Sequence, residues 1–464
     1  MIKLRRYSYY VCLFAAMYIM VNIRIAWIDI VEYILYFIIL LSIVMALAYL
    51  GKRCITVYVI GCVEFIMGIF QPIDSWGHMD VYSDTMRITS EMLGNHQLRE
   101  EYLLILLISY ILMYFTIGVV MSTRKMKYIT TDWNHVSFRP LVKATLRISP
   151  IILCFIFSYL RYLFQMRFSI LTHGGNTTIN FVAVWVYFLR FIALYVWVAG
   201  WEHYLNSNLS TRKMIIYTFF LTLANAFPEI LFGNRSSIIT FLGQVVIAFL
   251  IHNRVKIATI IKQFSKYIVL FVLLALASIT LSNYFRTGEY LPLMNFLRYR
   301  VTGIVDGVIA IKYLDGGKLL GFKSLLLSLI GDDNTRTLAS FYTHNVVGYP
   351  EDIPHSYALP GFISSGLYGG IIGIAVGSVF VAWMLSVCES KMLDVVDRGN
   401  NVHELSITAT IILSYVYTNT VMMVLLEGNI DNILTYLLPA IATYIAFQII
   451  DVKFGKKYRR AFMG

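Results

Sequence analysis

Apolar runs of about 17–25 residues, each long enough to cross a bilayer as a helix, recur from one end of this chain to the other. They lie at 7–23, 29–50, 55–74, 102–121, 148–165, 179–200, 214–232, 236–251, 267–283, 361–385, 405–426 and 433–450, twelve in all. Over 464 residues, 58% are hydrophobic and 14% charged. Water-soluble domains hold about 45–50% and about 25% respectively. No core of this length buries such an excess in water. The composition excludes a soluble enzyme, a secreted disulfide scaffold and a disordered chain, and predicts an all-α polytopic integral membrane protein.

Charge placement gives an independent reading of the topology. With Lys3, Arg5 and Arg6 in the cytoplasm, the positive-inside rule makes alternate loops the basic ones. Lys52-Arg53, Arg124 to Arg147, Arg212-Lys213, Arg254 to Lys266, Lys391 with Arg398, and Lys453 to Arg460 follow that order, and 24 of the 38 Lys and Arg fall on one side. Both termini are therefore expected in the cytoplasm. The net charge of +12 is topological, and no nucleic-acid partner is implied. The apolar run after Arg6 reads as a signal anchor followed by a second span, with no cleavable leader. Cys12, Cys54, Cys62, Cys154 and Cys388 all fall within spans or on the cytoplasmic side, so no outer disulfide framework is expected.

Residues 284–360 interrupt the pattern, separating helices one to nine (1–283) from helices ten to twelve and the basic tail (361–464). This outer loop of 77 residues carries seven tyrosines, seven acids and seven bases. Loops of more than about 15 residues are usually functional or disordered, and this one is too apolar and aromatic for disorder. Met294–Leu314 has helical spacing, with Arg298, Thr302 and Asp306 along one face. Leu319–Ile330 is apolar but too short to span, and reads as an interfacial or re-entrant piece. Arginines facing outward run against the topological bias and call for an anionic partner. A guanidinium is always charged and meets phosphate through two N–H groups, so Arg286, Arg298 and Arg300 suit a lipid phosphate or pyrophosphate. Their alternative partners are phospholipid headgroups or the loop's own acids. His344 and His355 are the histidines of this loop, and each is a candidate general base or a surface histidine.

Inside the spans, Arg161, Arg190, Glu32 and Glu64 are costly to bury and mark candidate cavities or ion pairs. Arg190 lies near mid-span. Arg161 lies about a turn from an outer end, within snorkelling reach, and Glu32 near a helix end reads the same way. Leu231 to Ser237 forms an outer turn in which Gly233 and Asn234 permit the reversal. Arg235 then sits beside the positive end of the next helix, an arrangement that a bound anion explains. Gly366, Gly370, Gly373 and Gly377, with GxxxG spacing from Gly369 to Gly373 and on to Gly377, read as close helix packing in span ten. Asp332-Asp333 lacks a third ligand at suitable spacing and reads as a solvated turn, so no metal and no cofactor is expected.

The chain resembles the bacterial O-antigen polymerases, the Wzy-type oligosaccharide repeat-unit polymerases. The resemblance rests on the twelve-span layout with its late outer loop, and on three local stretches. These are Gly233-Asn234-Arg235-Ser236-Ser237, Tyr284-Phe285-Arg286-Thr287-Gly288, and Pro360-Gly361 to Ile374 with its Leu367-Tyr368-Gly369-Gly370 core. It implies a GT-C-like glycosyltransferase of the bacterial inner membrane with its active site on the periplasmic side. It also implies an undecaprenyl-pyrophosphate-linked oligosaccharide as substrate, membrane lipids around it, and a chain-length regulator as partner. Negative charge then develops on a leaving pyrophosphate, where Arg235, Arg286, Arg298 and Arg300 are the binding candidates. His344, His355 or Glu289 is the candidate base for the acceptor hydroxyl. An O-antigen ligase shares this architecture and chemistry. A flippase or exporter, the other alternative, should carry its charge inside the spans and have short loops on both sides.

Overall fold

The structure is a computed structural model that describes residues 30–51, 54–64, 95–123, 303–330, 338–346, 361–398 and 412–426, with isolated positions between 152 and 284 and between 428 and 445. The chain divides into two compact units. One comprises Met1–Met126, Met294–Glu389 and Thr420–Ile433, the other Lys127–Leu293, Ser390–Asn419 and Leu434–Gly464. Among the described residues every element is helical. In chain order they are α1 (Ile30–Tyr49), α2 (Thr56–Glu64), α3 (His96–Ser122), α4 (Gly303–Leu314), α5 (Gly321–Ile330), α6 (Leu338–Phe341) with a π-helical turn (Tyr342–Val346), and α7 (Gly361–Arg398). The last is α8 (Ile412–Leu426), which becomes π-helical at Thr420.

Three helices are long and apolar enough to cross a membrane: α1, α3 and the Gly361–Asp394 part of α7. The remaining runs read as spans fall partly or wholly outside the described residues. The pattern of α3 shows what surrounds these helices. Leu98, Tyr102, Leu106, Tyr110, Met113, Ile117 and Met121 recur at three- and four-residue spacing and are buried. The opposite face carries Leu104, Ile108, Ile111, Phe115 and Val119, all exposed, with Phe115 at 70%. A helix apolar on both faces, one of them bare of protein, belongs in hydrocarbon.

The first unit is built around α1, α2 and α3. Glu32 in the first turn of α1 meets Arg99 in the first turn of α3, so these two helices run in the same direction. The chain turns through Gly51 and Cys54, and α2 runs back. A Cβ on Gly61 of α2 would lie 3.3 Å from Ile43 of α1 and 3.8 Å from the Tyr114 hydroxyl of α3. That close approach of three helices admits only a very small residue. At the far end Glu389 of α7 reaches the start of α2, so α7 finishes where α1 finishes.

The glycine pattern at 361–377 packs closely, but against its own chain, and this corrects the continuous span read at 361–385. The backbone leaves helical geometry at Gly369 and Gly370. Gly370 has φ +64° and ψ −150°, a conformation open in practice to glycine alone. On the far side of this turn the chain runs back along itself. A Cβ on Gly377 would strike the Ser365 side chain and lie 3.6 Å from Phe362 Cα. One on Gly366 would come within 2.7 Å of Ile374. Residues 12 apart in a straight helix are about 18 Å apart. Residues 361–368 and 371–398 therefore form a hairpin with one short and one long arm. Ile371 and Ile372, just past the turn, are 73% and 72% exposed and apolar.

The segment between spans nine and ten contributes three described helices. Of the helix read at Met294–Leu314, residues 303–314 are described and helical and 294–302 lie outside the described residues; α5 starts at Gly321. A Cβ on Gly307 of α4 would press on the Tyr102 ring of α3 and lie 3.2 Å from Ile363 of the short arm. The next stretch lies along the hairpin turn. The Leu320 N–H donates to Leu367 O at 3.0 Å, and the Phe322 ring closes over Gly369.

Glu389 organises the opposite end. It is buried, and its oxygens accept four hydrogen bonds from Cys54 Sγ (2.9 Å), Ile55 N (2.6 Å), Thr56 N (2.9 Å) and Thr56 Oγ1 (2.7 Å). A carboxylate from one helix thus caps the positive end of another, as N–H groups and dipole both favour. Burial, and next the Glu389 charge, push the Cys54 thiol well above its ordinary range. Cys54 is therefore expected to stay a thiol at pH 8. It should resist maleimide in the native protein and react after denaturation; rapid native labelling would show that this end is open.

Candidate functional site

Asn95 starts α3, and that start places the site. Its Oδ1 accepts hydrogen bonds from Gln97 N at 3.0 Å and Leu98 N at 3.4 Å, the arrangement of an N-cap. The helix therefore opens at His96, six residues before the span read at 102–121, and Arg99 moves from a loop into the first helical turn. A cation at that position opposes the helix dipole. Glu32 compensates it across the interface with α1.

Neither charge snorkels. Glu32 is 0% exposed and Arg99 3%, which decides for the ion pair, and against snorkelling, between the two readings of Glu32. Arg99 Nε and Nη2 lie 3.0 and 2.8 Å from Glu32 Oε1. His96 Nδ1 lies 3.1 Å from the same oxygen and 2.8 Å from Arg99 Nη2. A neutral imidazole accepts the Arg99 proton at Nδ1, whereas an imidazolium donates from that nitrogen to Glu32. The half-exposed ring can thus serve either neighbour. Removing one partner of a buried ion pair typically costs about 3–5 kcal/mol, because the other charge is left uncompensated. Among the described residues, Glu32 Oε2 is buried and has no hydrogen-bond partner.

Tyr102 lies one turn below Arg99 on the same face of α3, and α4 packs on it. The other end of α4 leads to the π-helical turn. Tyr313 meets Phe341 edge-on, with centroids 5.9 Å apart, and Tyr342 is buried. His344 stands in this turn, half-buried. The described helix α4 therefore packs at the Glu32 end of the first unit.

Among the nine candidate catalytic, pyrophosphate-binding and cavity-arginine residues named from sequence, His344 is the one described. Arg235, Arg286, Arg298, Arg300, Arg161, Arg190, Glu289 and His355 lie outside the described residues. Glu32, singled out by sequence as a candidate for an ion pair, finds one, and its partners His96 and Arg99 are what sequence reasoning missed. The signal that could have revealed them is Asn95, a capping residue directly before His96 and four before Arg99. No family model, no curated protein and no solved structure matches this chain.

Proposed function

We propose that the protein polymerises undecaprenyl-pyrophosphate-linked oligosaccharide repeat units at the periplasmic face of the bacterial inner membrane, as a metal-independent GT-C-like glycosyltransferase of twelve spans. The observation that supports this reading is the packing of the described helices of residues 303–346. Helix α4 packs on the ends of α3 and the short arm of α7, beside a buried Glu32 and Arg99 pair and far from Glu389. A transporter has no need for so much helical chain docked on one end of its bundle. The described helices also run as the twelve-span layout requires: α1, α3 and the long arm of α7 in one direction, α2 in the other.

In this reading the growing chain leaves its lipid carrier and joins the non-reducing end of a new unit. The bond from the anomeric carbon to pyrophosphate breaks, and negative charge collects on the leaving group. Arg235, Arg286, Arg298 and Arg300 supply fixed positive charge there. His344, His355 or Glu289 takes the proton of the attacking hydroxyl. The Tyr-rich segment offers flat apolar faces with hydroxyls for the sugar rings.

The lipopolysaccharide gel of a deletion strain tests the activity. A band carrying a single repeat marks a polymerase. A core with no repeat marks a ligase or an exporter, and an unchanged ladder removes all three. For the topology, Cys placed by Lys318→Cys and Lys391→Cys, both at exposed positions, should react with an impermeant thiol reagent from opposite sides of the membrane. Labelling from one side discards the layout.

A further inference from the structure

The cluster at the start of α1 and α3 holds an unused acceptor. A guanidinium ordinarily meets a carboxylate as a fork, with one N–H on each oxygen. Here Arg99 Nε and Nη2 both lie on Glu32 Oε1, and His96 Nδ1 joins them. Oε2 is left without a donor although its residue is 0% exposed. Buried acceptors nearly always have a partner, so an empty one on a charged group calls for an occupant.

The surroundings narrow its chemistry. A metal cation or an ammonium is repelled by Arg99 and, when protonated, by His96. An anion is repelled by Glu32 itself. A neutral group that donates one hydrogen bond fits, and a hydroxyl is the smallest of these. The way in is also marked: the His96 side chain, 47% exposed, touches both solvent and the carboxylate. That contact is to Oε1, the oxygen next to the unpartnered one.

We propose that Glu32 Oε2 is a subsite for a sugar hydroxyl of the lipid-linked repeat unit, with Arg99 holding the carboxylate in place and the half-exposed His96, on the other oxygen, as the side nearest solvent. The identity of the sugar as ligand rests on the polymerase reading; the buried oxygen without a donor among the described residues does not.

The test is a binding titration of the purified protein in nanodiscs with the undecaprenyl-pyrophosphate-linked repeat unit, run beside a polymerisation assay. Glu32→Asp keeps the charge but draws the oxygens back by one methylene. It should raise the Kd at least tenfold, and it should also lower the melting temperature because the Arg99 contact loosens with it. The double variant E32Q/R99Q replaces the ion pair by two neutral amides. If the cluster were only a clasp between helices, this variant would recover stability and affinity together. The expected result is recovery of stability relative to either single variant, with the Kd still at least tenfold above wild type. Wild-type affinity in Glu32→Asp overturns the subsite, as does wild-type affinity in a stable E32Q/R99Q. Wild-type protein that binds the unit but forms no polymer removes the polymerase reading alone, and the Glu32 variants still decide the subsite. A wild-type protein that does not bind the unit at all overturns both.

Discussion

Gly377→Leu should leave no folded protein, and Gly377→Ala should lower the melting temperature, while Gly118→Ala leaves it unchanged or raises it. All these substitutions lie in apolar helices, where replacing Gly by Ala ordinarily stabilises by up to about 1 kcal/mol. At Gly118 a new methyl would meet Leu50 at 3.9 Å, an ordinary contact, so the helical preference prevails. At Gly377 it would occupy the place of the Ser365 hydroxyl, which donates to Phe362 O at 2.6 Å, with Ser365 Cβ only 2.7 Å away. Overpacking of this kind costs about 1–3 kcal/mol, enough to reverse the sign. The decisive measurement is the rescue. Ser365→Gly removes the atoms in the way, so Gly377→Ala with Ser365→Gly should regain much of the loss. Melting temperatures in detergent give the coupling directly. Additive effects of the two changes would mean that 365 and 377 do not touch and that the hairpin is wrong.

That hairpin shows where sequence reasoning stops. GxxxG spacing states that a helix face must be approached closely; it does not name the partner. The partner was read as another helix, and it is the same chain eight to twelve residues away. The adjacent pair Gly369-Gly370 was the signal for a break, since two glycines together inside an apolar run are a poor way to continue a helix. The apolar runs themselves were legible because length and hydrophobicity act locally: α1, α3 and the start of α2 stand where the hydropathy places them, within a few residues. The buried polar contacts were not, because they join distant positions. Glu32 finds Arg99 across 67 residues, and Glu389 finds Thr56 across 333. Read singly, a glutamate at a helix end is indistinguishable from one reaching toward headgroups. The fold around it decides whether it is a surface residue or half of an ion pair.

The site carries the same lesson. Arg99 lies before the span read at 102–121, where a cation reads as part of an outer loop. Once Asn95 caps the helix at His96, Arg99 stands in the first helical turn and pairs with Glu32. Arg235, Arg286, Arg298 and Arg300 lie outside the described residues, so the case for them rests on charge placement and on the chemistry of a lipid pyrophosphate.

For these four the expected result is a graded loss of polymer. Arg235→Ala, Arg286→Ala and at least one of Arg298→Ala and Arg300→Ala should each slow polymerisation by roughly 10- to 150-fold in protein expressed at wild-type levels. The range follows from the loss of one charge-assisted contact worth about 1.5–3 kcal/mol, converted to a rate when the charge develops mainly in the transition state. Lysine is the informative replacement. It keeps the positive charge but reaches one oxygen as a point donor, whereas guanidinium presents a planar pair of N–H groups. Arg→Lys should therefore restore only part of the rate if the arginines grip pyrophosphate. It should restore nearly all of it if they only hold the outer surface against phospholipid headgroups, where charge matters and geometry does not. Ladder length on lipopolysaccharide gels reads both outcomes in one strain background. Full ladders from all four Ala variants would leave these arginines as lipid anchors, and the leaving group would then need a different source of positive charge.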